Sequence, residues 1–289
     1  MTVLEVIQRS AEFLTKKGVE SPRLQVELLL AHLLEMPRMK LYLNFERSLS
    51  ETEMEKLRAF VKRRGNREPL QHIIGTANFC GLEFKVTQHV LIPRPETELL
   101  AERAWKFISN HNGNFVVLDF GTGSGCLAVM LAIKCPAAEI HALDISPAAL
   151  NVARENATRH KVSERIEFHE GDGFAAIRIL RKFNLIVANP PYIPSQEIST
   201  LEPEVRDHDP RLSLDGGEDG LEFYRMLAKK APEWLAQGGC VMMEFGEGQA
   251  EFIREIFEKQ KWIVEAVERD YTQRERFLIA RATQSGDRI

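Results

Sequence analysis

Four consecutive residues, Asn189-Pro190-Pro191-Tyr192, carry the clearest chemical signal in the chain. They follow the apolar run 183–188, which predicts a buried strand, and two prolines directly after a strand stop it and hold the chain extended. Because proline has no N–H, nearby carbonyls are left without a neighbouring backbone donor. Asn189 adds a side-chain acceptor, and Tyr192 adds a planar face. Two fixed acceptors and one ring suit a planar NH2 group, such as an amide or an aromatic amine.

A glycine-rich stretch lies between the first strand of the predicted sheet and the helix that follows it. Its members are Gly121, Thr122, Gly123, Ser124 and Gly125. Glycine lets the backbone approach a ligand closely, and open α/β sheets bind ligands at the carboxyl ends of their strands. Cys126 stands where the nicotinamide fingerprint needs a glycine, and the Gly-Lys-Ser/Thr ending of a P-loop is absent. The stretch therefore predicts a ligand site without identifying the ligand.

Two carboxylates follow the next two predicted strands. Asp144 lies about twenty residues beyond the glycines, a position that suits hydrogen bonding to a ribose diol. Alternatively, Asp144 and Ser146 only begin the next helix. Asp172 follows the third strand, where it or the ring of Phe174 could cover an adenine, unless this segment is a plain turn.

The elements that must position these residues alternate between strand and helix. The predicted strands span residues 115–119, 139–144, 165–169, 183–189, 239–245, 262–267 and 276–282. The predicted helices between them span residues 124–134, 147–160, 221–235 and 249–259. Such alternation predicts a mostly parallel sheet that is covered on both faces. Only residues 268–275 separate the last two strands, too few for a helical crossover, so the final strand is predicted to be antiparallel.

The N-terminal part of the chain has a helical pattern and then a pattern typical of a hairpin. Apolar residues at helical spacing and a capping box that begins at Ser50 predict a small helical bundle. Around Gly75 and Gly81, the apolar residues Ile73 and Ile74 and then Leu82, Phe84 and Val86 predict a short hairpin. The expected domains are a helical domain over residues 1–70, a hairpin linker over 71–94 and a catalytic domain over 95–289.

Composition narrows the class of protein. The 289 residues are 44% hydrophobic and 28% charged, which is typical of a soluble globular protein. A net charge of −4 argues against a dedicated duplex-DNA binder, and neither a membrane span nor a signal peptide is found. The four cysteines lack metal-ligand spacing, so a reducing cytoplasmic location is expected. His89 and His208 have no convincing partners, and no metal site is expected.

Two features near the predicted site each have two interpretations. The acidic, helix-poor segment 195–220 is expected to be either a lid that docks substrate or a disordered stretch of the surface. Arg94 and Glu96 could line the mouth of the site, or could form an ion pair that holds the chain between Pro93 and Pro95.

In their order along the chain, the glycine stretch, Asp144, Asp172 and Asn189-Pro190-Pro191-Tyr192 resemble the class I S-adenosylmethionine-dependent methyltransferases. The Asn-Pro-Pro-Tyr sequence narrows the resemblance to enzymes that methylate planar amine or amide nitrogens. The helical N-terminus, residues 91–98 (Leu-Ile-Pro-Arg-Pro-Glu-Thr-Glu) and the tail 269–276 look like the release factor glutamine methyltransferases, the HemK/PrmC family. This resemblance covers essentially the whole chain.

The resemblance implies a seven-stranded Rossmann-like sheet and an N-terminal helical domain that docks the protein substrate. It implies S-adenosylmethionine as cofactor and, as substrate, the glutamine of the Gly-Gly-Gln motif in class I peptide chain release factors. A cytoplasmic monomer without membrane or direct nucleic-acid partners is expected. The implied cofactor contacts are Gly121, Thr122, Gly123, Ser124, Gly125, Asp144, Asp172, Gly173 and Asn189. The implied substrate contacts are Asn189, Pro190, Pro191 and Tyr192, of which Asn189, Pro190 and Tyr192 are assigned catalytic roles.

One position departs from the family pattern. Some members carry an aromatic residue after the acidic residue that corresponds to Asp172, but here that position is Gly173. Phe174, or the backbone of Gly173 alone, is expected to take over the contact with adenine.

The predicted mechanism is alignment rather than base catalysis. The side-chain oxygen of Asn189 and the carbonyl of Pro190 are expected to accept the two N–H bonds of the target nitrogen, while Tyr192 packs on the amide plane. Two other substrates remain open, a glutamine of a ribosomal protein and, less favoured, adenine N6 of a nucleic acid. A cofactor-binding module without activity is a third alternative, which the intact nitrogen site argues against.

Overall fold

The computed structural model describes residues 1–111, 113, 115–179 and 181–283, and divides into two units. The first unit contains Met1–Thr76 together with Leu201–His208. The second unit contains the rest of the described chain, beginning at Ala77. The first unit is therefore larger than the predicted helical domain 1–70, because it includes a short segment from far along the chain.

The first unit is helical. Its helices are α1 (Val3–Lys16), α2 (Pro22–Leu33), α3 (Arg38–Leu41), α4 (Glu51–Gly65), α5 (Leu70–Ile74) and α6 (Pro203–Arg206). The predicted capping box at Ser50 is present, since Ser50 and Glu53 each accept a hydrogen bond from the other's backbone N–H. Arg64, which is buried, and Arg67 donate to the carboxylate of Glu204 at 2.8 and 2.7 Å. These charged pairs attach α6 to the N-terminal helices, a feature that the interpretation of 195–220 as one loop missed.

The hairpin is shorter than predicted. Its strands are β1 (Thr76–Phe79) and β2 (Leu82–Lys85), whereas Ile73 and Ile74 belong to α5. Gly75 ends that helix in a left-handed conformation with φ of 84°, which is the usual reason for glycine at this position.

The second unit is built on a seven-stranded sheet, as predicted. Its strands are β3 (Val116–Phe120), β4 (Glu139–Asp144), β5 (Ile166–Glu170), β6 (Phe183–Ala188), β7 (Leu235–Glu244), β8 (Trp262–Arg269) and β9 (Glu275–Ala282). Their order is β5-β4-β3-β6-β7-β9-β8, and β9 is antiparallel to both of its neighbours. The antiparallel last strand is confirmed.

Helices cover both faces of this sheet. They are α7 (Pro95–Ser109), α8 (Cys126–Lys134), α9 (Pro147–Arg159), α10 (Glu222–Lys230) and α11 (Ala250–Lys259). The first three pack on one face through residues such as Leu100 and Leu127, and the last two pack on the other through residues such as Leu227 and Ile253. The two central strands β3 and β6 are consequently almost entirely buried.

One predicted helix is wrong in length. The helix expected over residues 221–235 ends at Lys230, and a short 3-10 turn follows at Ala231–Glu233. Pro232 lies in that turn and has no N–H to continue the helix, so the chain is released and β7 begins at Leu235.

The strand order reverses between β3 and β6, because β4 and β5 extend the sheet to one side and β7 to the other. Ligands of open parallel sheets bind at such a switch point, beyond the carboxyl ends of the strands. The four cysteines are free, and no helix in the described ranges is long and apolar enough to cross a membrane.

Candidate active site

A cleft with about 1130 Å³ of empty space opens at the carboxyl ends of β3, β4, β5 and β6. It collects ten of the twelve residues predicted for the site. These are Gly121, Thr122, Gly123, Ser124, Asp144, Asp172, Gly173, Asn189, Pro190 and Pro191. Gly125 and Tyr192 are the two that do not line it.

The glycine loop is held by backbone contacts to β4. The N–H groups of Gly121 and Thr122 both donate to the carbonyl of Leu143, at 2.9 and 2.8 Å. Gly123 adopts a φ of +54° and donates its N–H to Asp144 Oδ2 at 2.8 Å. A Cβ added at Gly121 or Gly123 would meet no atom within 4 Å, so the backbone here faces open space. This exposed backbone can approach a ligand closely.

Gly125 has a different role from the one predicted. Its φ is +78°, and a Cβ there would lie 2.9 Å from the Cβ of Ala153 in α9. Gly125 therefore allows two helices to pack closely, and the structure places it behind the cleft rather than on its wall.

Asp119 braces the loop from below, a role that the sequence analysis did not identify. Its buried carboxylate accepts a hydrogen bond from Thr122 Oγ1 at 2.6 Å and one from the N–H of Ala128 at 3.1 Å. Burial raises the pKa of Asp119 to about 7. The signal was available, since Asp119 is the one charged residue of β3.

Asp144 helps to begin α9 and also lies on the cleft wall. Its carboxylate accepts N–H donors from Gly123 and Ser146, and Ser146 in turn caps α9 by accepting from Ala149 at 3.2 Å. The half-buried carboxylate also lines the cleft, and burial raises its pKa above the ordinary value. A ligand that donates hydrogen bonds would favour the charged form of this group.

Phe174 cannot cover a ligand in this structure. Its ring is buried, stacked on Trp234 at 5.4 Å and edge-on to Phe120 at 4.9 Å, and it does not line the cleft. The apolar lining includes instead Ile145 and Phe223, neither of which was predicted. Ile145 directly follows Asp144 and is 52% exposed, so its side chain is accessible from the cleft.

Asn189 is oriented by residues from two other elements. Its Nδ2 donates to Thr97 Oγ1 at 3.0 Å, and Thr97 Oγ1 donates to Glu244 Oε2 at 2.7 Å. Thr97 is near the start of α7 and Glu244 ends β7; both are 2% exposed. From the sequence, Thr97 was expected only as part of a family motif and Glu244 was not foreseen, although a carboxylate that ends an apolar strand is a recognisable signal.

Tyr192 lies beside this group but does not line the cleft. Its carbonyl accepts a hydrogen bond from Gln249 Nε2 at 2.9 Å, and Gln249 Oε1 accepts from the N–H of Gly246. Burial, followed by the charge of Glu244, raises the pKa of the phenol to about 12. The predicted contact of Tyr192 with a substrate amide is therefore not preformed.

The structure shows where Arg94 and the segment 195–220 lie. Arg94 forms an ion pair with the buried Asp209 at 2.7 Å, which fixes the chain before α7. Pro210, Leu212 and Ser213 line the cleft, so part of segment 195–220 borders the site.

Two histidines lie together away from the cleft. His141 Nδ1 and His169 Nε2 are 2.9 Å apart on the neighbouring strands β4 and β5, and Glu167 is close to both. Burial lowers the pKa of His169, which favours the neutral form of that ring. One hydrogen bond between the two ring nitrogens accounts for the short distance.

Comparisons with known proteins agree with this architecture. The family model "PrmC N-terminal domain" matches residues 5–75, and the model "Methyltransferase small domain" matches residues 97–204. A release factor glutamine methyltransferase of Geobacter sulfurreducens is 45% identical over 258 residues, 89% of each chain. Another, from Chlorobaculum tepidum, is 40% identical over 284 residues, 96% of each chain. A methyltransferase structure from Pyrococcus furiosus, 20% identical, superimposes with a TM-score of 0.51 over 70% of this chain and 89% of that chain, which supports the fold alone.

Proposed function

Because the chain belongs to the release factor glutamine methyltransferase family, we propose that it methylates the side-chain amide nitrogen (N5) of the glutamine in the Gly-Gly-Gln motif of class I peptide chain release factors. S-adenosylmethionine is the proposed methyl donor, and modulation of translation termination is the proposed consequence. One observation carries the proposal: the side chain of Asn189 lines the cleft with its amino group held by Thr97, so that its oxygen is left to accept a substrate N–H.

The cleft fits the proposed cofactor. Exposed backbone at Gly121 and Gly123 suits close approach of the methionine moiety, and the carboxylate of Asp144 suits the two ribose hydroxyls. The apolar side chains of Ile145 and Phe223 offer surface for the adenine ring. When bound, S-adenosylmethionine supplies an electrophilic methyl group on a sulfonium sulfur.

The residues of this chain would act on the acceptor nitrogen. An amide nitrogen is a poor nucleophile because its lone pair is delocalised into the carbonyl. Asn189 Oδ1 and the carbonyl of Pro190 accept its two N–H bonds, which turns the lone pair toward the cofactor side of the cleft. The same acceptors stabilise the positive charge that develops on the N–H groups during transfer. A general base is not required, because the proton can leave after transfer.

Three further assignments belong to this proposal. Tyr192 packs on the amide plane once substrate is bound, which requires a movement of its ring toward the cleft. The helical domain, proposed over residues 1–70, docks the release factor, because a single glutamine side chain offers far less area than a specific protein contact usually buries. The protein acts as a monomer.

Transfer of labelled methyl groups from S-adenosylmethionine tests the proposal directly. The acceptors are a class I release factor, its Gly-Gly-Ala variant, a short Gly-Gly-Gln peptide, a ribosomal protein preparation and duplex DNA. Label is expected on the intact release factor, with a much lower kcat/KM for the peptide, which lacks the docking surface.

Label on the Gly-Gly-Ala variant would place the acceptor elsewhere on the release factor. Label on the ribosomal proteins or DNA alone would overturn the proposed substrate. Equal kcat/KM for peptide and whole protein would overturn the docking role while leaving the glutamine assignment intact.

A further inference from the structure

Asn189, Thr97 and Glu244 form a chain of hydrogen bonds that runs from the cleft wall into the protein interior. The first contact joins Asn189 Nδ2 to Thr97 Oγ1 at 3.0 Å, and the second joins Thr97 Oγ1 to Glu244 Oε2 at 2.7 Å. Thr97 and Glu244 are buried, so water does not compete for these bonds. The hydrogen-bond chain reaches the cleft at Thr97 and at the half-buried side chain of Asn189.

The direction of each bond follows from counting protons. A carboxylate can only accept, so an ionised Glu244 must receive the single hydroxyl proton of Thr97. The oxygen of Thr97 is then limited to accepting, and the group that Asn189 turns toward it must be the NH2. The carbonyl oxygen of Asn189 therefore points away from Thr97. An amide flipped by 180° would place two acceptors, Asn189 Oδ1 and Thr97 Oγ1, against each other without a proton between them.

We propose that Glu244, acting through Thr97, is a positioning residue that sets the amide orientation of Asn189 and thereby makes methyl transfer depend on the ionisation of Glu244. This inference rests on the proposed function, because it concerns the acceptor that holds the target nitrogen. It assigns a role to Glu244, which does not line the cleft, and to Thr97, which lines the cleft between Glu244 and Asn189.

The surroundings of Glu244 allow its charge to change near neutral pH. Burial raises the pKa of Glu244 to about 7, although the hydrogen bond from Thr97 lowers this pKa in part. Five titratable or charged groups from other elements face Glu244. They are Arg276 in β9, Glu96 in α7, Arg94 just before α7, Tyr192 after β6 and Tyr224 in α10. Arg276 and Arg94 favour the charged form, and Glu96 opposes it.

Protonation of Glu244 removes the constraint on Asn189. A protonated carboxyl can donate to Thr97 Oγ1, which frees the hydroxyl of Thr97 to donate to whichever end of the Asn189 amide faces it. Both amide orientations then make one hydrogen bond, and only one of them presents an acceptor to the cleft. Activity should consequently fall as pH decreases through the pKa of Glu244, while binding of the cofactor at the glycine loop is unaffected.

Three variants of the full-length protein test this inference. Glu244→Gln cannot ionise, Thr97→Val keeps the shape of the side chain but removes the hydroxyl, and Thr97→Ser keeps the hydroxyl as the conservative control. For each we would measure kcat and KM on the release factor from pH 5.5 to 8.5. Calorimetric Kd values for S-adenosylmethionine and for the release factor, together with Tm, would be measured on the same preparations.

The expected result is specific to positioning. Near pH 8, kcat should fall by about two- to tenfold in Glu244→Gln and Thr97→Val, the loss that one net hydrogen bond corresponds to, and remain near wild type in Thr97→Ser. The acidic limb of the kcat profile should disappear in Glu244→Gln. The Kd for S-adenosylmethionine should not change.

Other outcomes would overturn the inference in distinguishable ways. An acidic limb that persists in Glu244→Gln would show that a different group titrates. Parallel losses in all three variants, with a lower Tm or weaker cofactor binding, would show a purely structural role. If the wild-type protein transfers no methyl group to the release factor, the proposed function fails instead. The Kd values for the release factor would still show whether the variants change binding at the part of the cleft formed by Asn189.

Discussion

The two sides of the cleft are built in different ways. On the cofactor side, the contacts are mostly to backbone: Gly121, Thr122 and Gly123 bond to the end of β4, within a short stretch of chain. On the acceptor side, the side-chain amide of Asn189 is oriented by the hydroxyl of Thr97, which is held by the carboxylate of Glu244. Asn189 and Thr97 are 92 residues apart in the sequence, and Thr97 and Glu244 are 147 residues apart. The first is a local structure, and the second exists only after the sheet has assembled.

Each side nevertheless contains one buried carboxyl with a pKa raised to about 7, Asp119 under the glycine loop and Glu244 behind Asn189. Asp119 bonds only to groups of the loop and of the helix that follows it, so its ionisation should affect the stability of that region. Glu244 acts on a residue that faces the cleft, so its ionisation should affect turnover. Asp119 therefore supports the glycine loop, whereas Glu244 sets the orientation of the Asn189 amide.

The largest effect is expected from removing the acceptor itself. Asn189→Ala should lower kcat by about 10²–10³-fold, the usual cost of losing one preorganised hydrogen bond at the reacting group. Asn151→Ala, on the exposed face of α9, is the matched control and should leave kcat unchanged. Near-normal turnover in Asn189→Ala would show that the Asn189 side chain does not hold the acceptor nitrogen, and the acceptor side of the cleft would lose its proposed role.

A change on the cofactor side should have a smaller effect, and on affinity rather than rate. Gly123→Ala forces a side chain into the left-handed region at a φ of +54°, which costs about 1–2 kcal/mol and shifts the loop. We expect the Kd for S-adenosylmethionine to rise by about tenfold, the equivalent of that cost, as measured by calorimetry.

The hairpin supplies a control with the same strain. Gly81 has a φ of +77°, and a Cβ there would also meet no atom within 4 Å, but Gly81 does not line the cleft. Gly81→Ala should lower Tm about as much as Gly123→Ala and leave the Kd unchanged. Equal effects of both substitutions on the Kd would mean that backbone strain acts on the whole domain.

The smallest effect concerns the pH dependence of stability. The folded-state pKa of Asp119 is raised from 3.8 to about 7, so its protonated form stabilises the fold fully below about pH 4, and this contribution is lost as the pH rises through 7. Asp119→Asn removes the titration. The Tm of Asp119→Asn relative to wild type should therefore increase between pH 4 and 8. The increase should be about 2–4 °C for each kcal/mol of unfolding free energy that the wild-type protein loses when Asp119 ionises.

Asp172→Asn, at an exposed position, is the control for this measurement and should follow the wild-type profile. Asp119→Asn should also keep the acidic limb of kcat that Glu244→Gln abolishes. A Tm profile parallel to wild type would mean that Asp119 does not titrate in this range.

Much of the fold could be predicted, because the sheet strands are apolar runs that alternate with helical segments along the chain. All seven strands were found, with ends that differ by a few residues. The errors occurred where a neighbour in space decides the outcome. Ile73 and Ile74 were assigned to a strand although they are helical, and α6 was not foreseen because charged pairs to Arg64 and Arg67 attach it to distant helices.

The candidate site was predicted through its contiguous motifs. The glycine loop, Asp144 and Asn189-Pro190-Pro191 each follow a strand, and strands of a parallel sheet end at the same edge, so their meeting in one cleft is a consequence of local pattern. The sequence by itself therefore determined the order of the elements and the chemical groups at this edge.

Only the tertiary structure decided how those groups are oriented. Gly125 serves helix packing, because Ala153 lies 2.9 Å from where its Cβ would be, and Phe174 is drawn into the interior by Trp234. The bonds from Asn189 to Thr97 and from Thr97 to Glu244 depend on how α7 packs across β6 and β7. Such contacts join residues far apart in the chain, and no local periodicity or spacing encodes them.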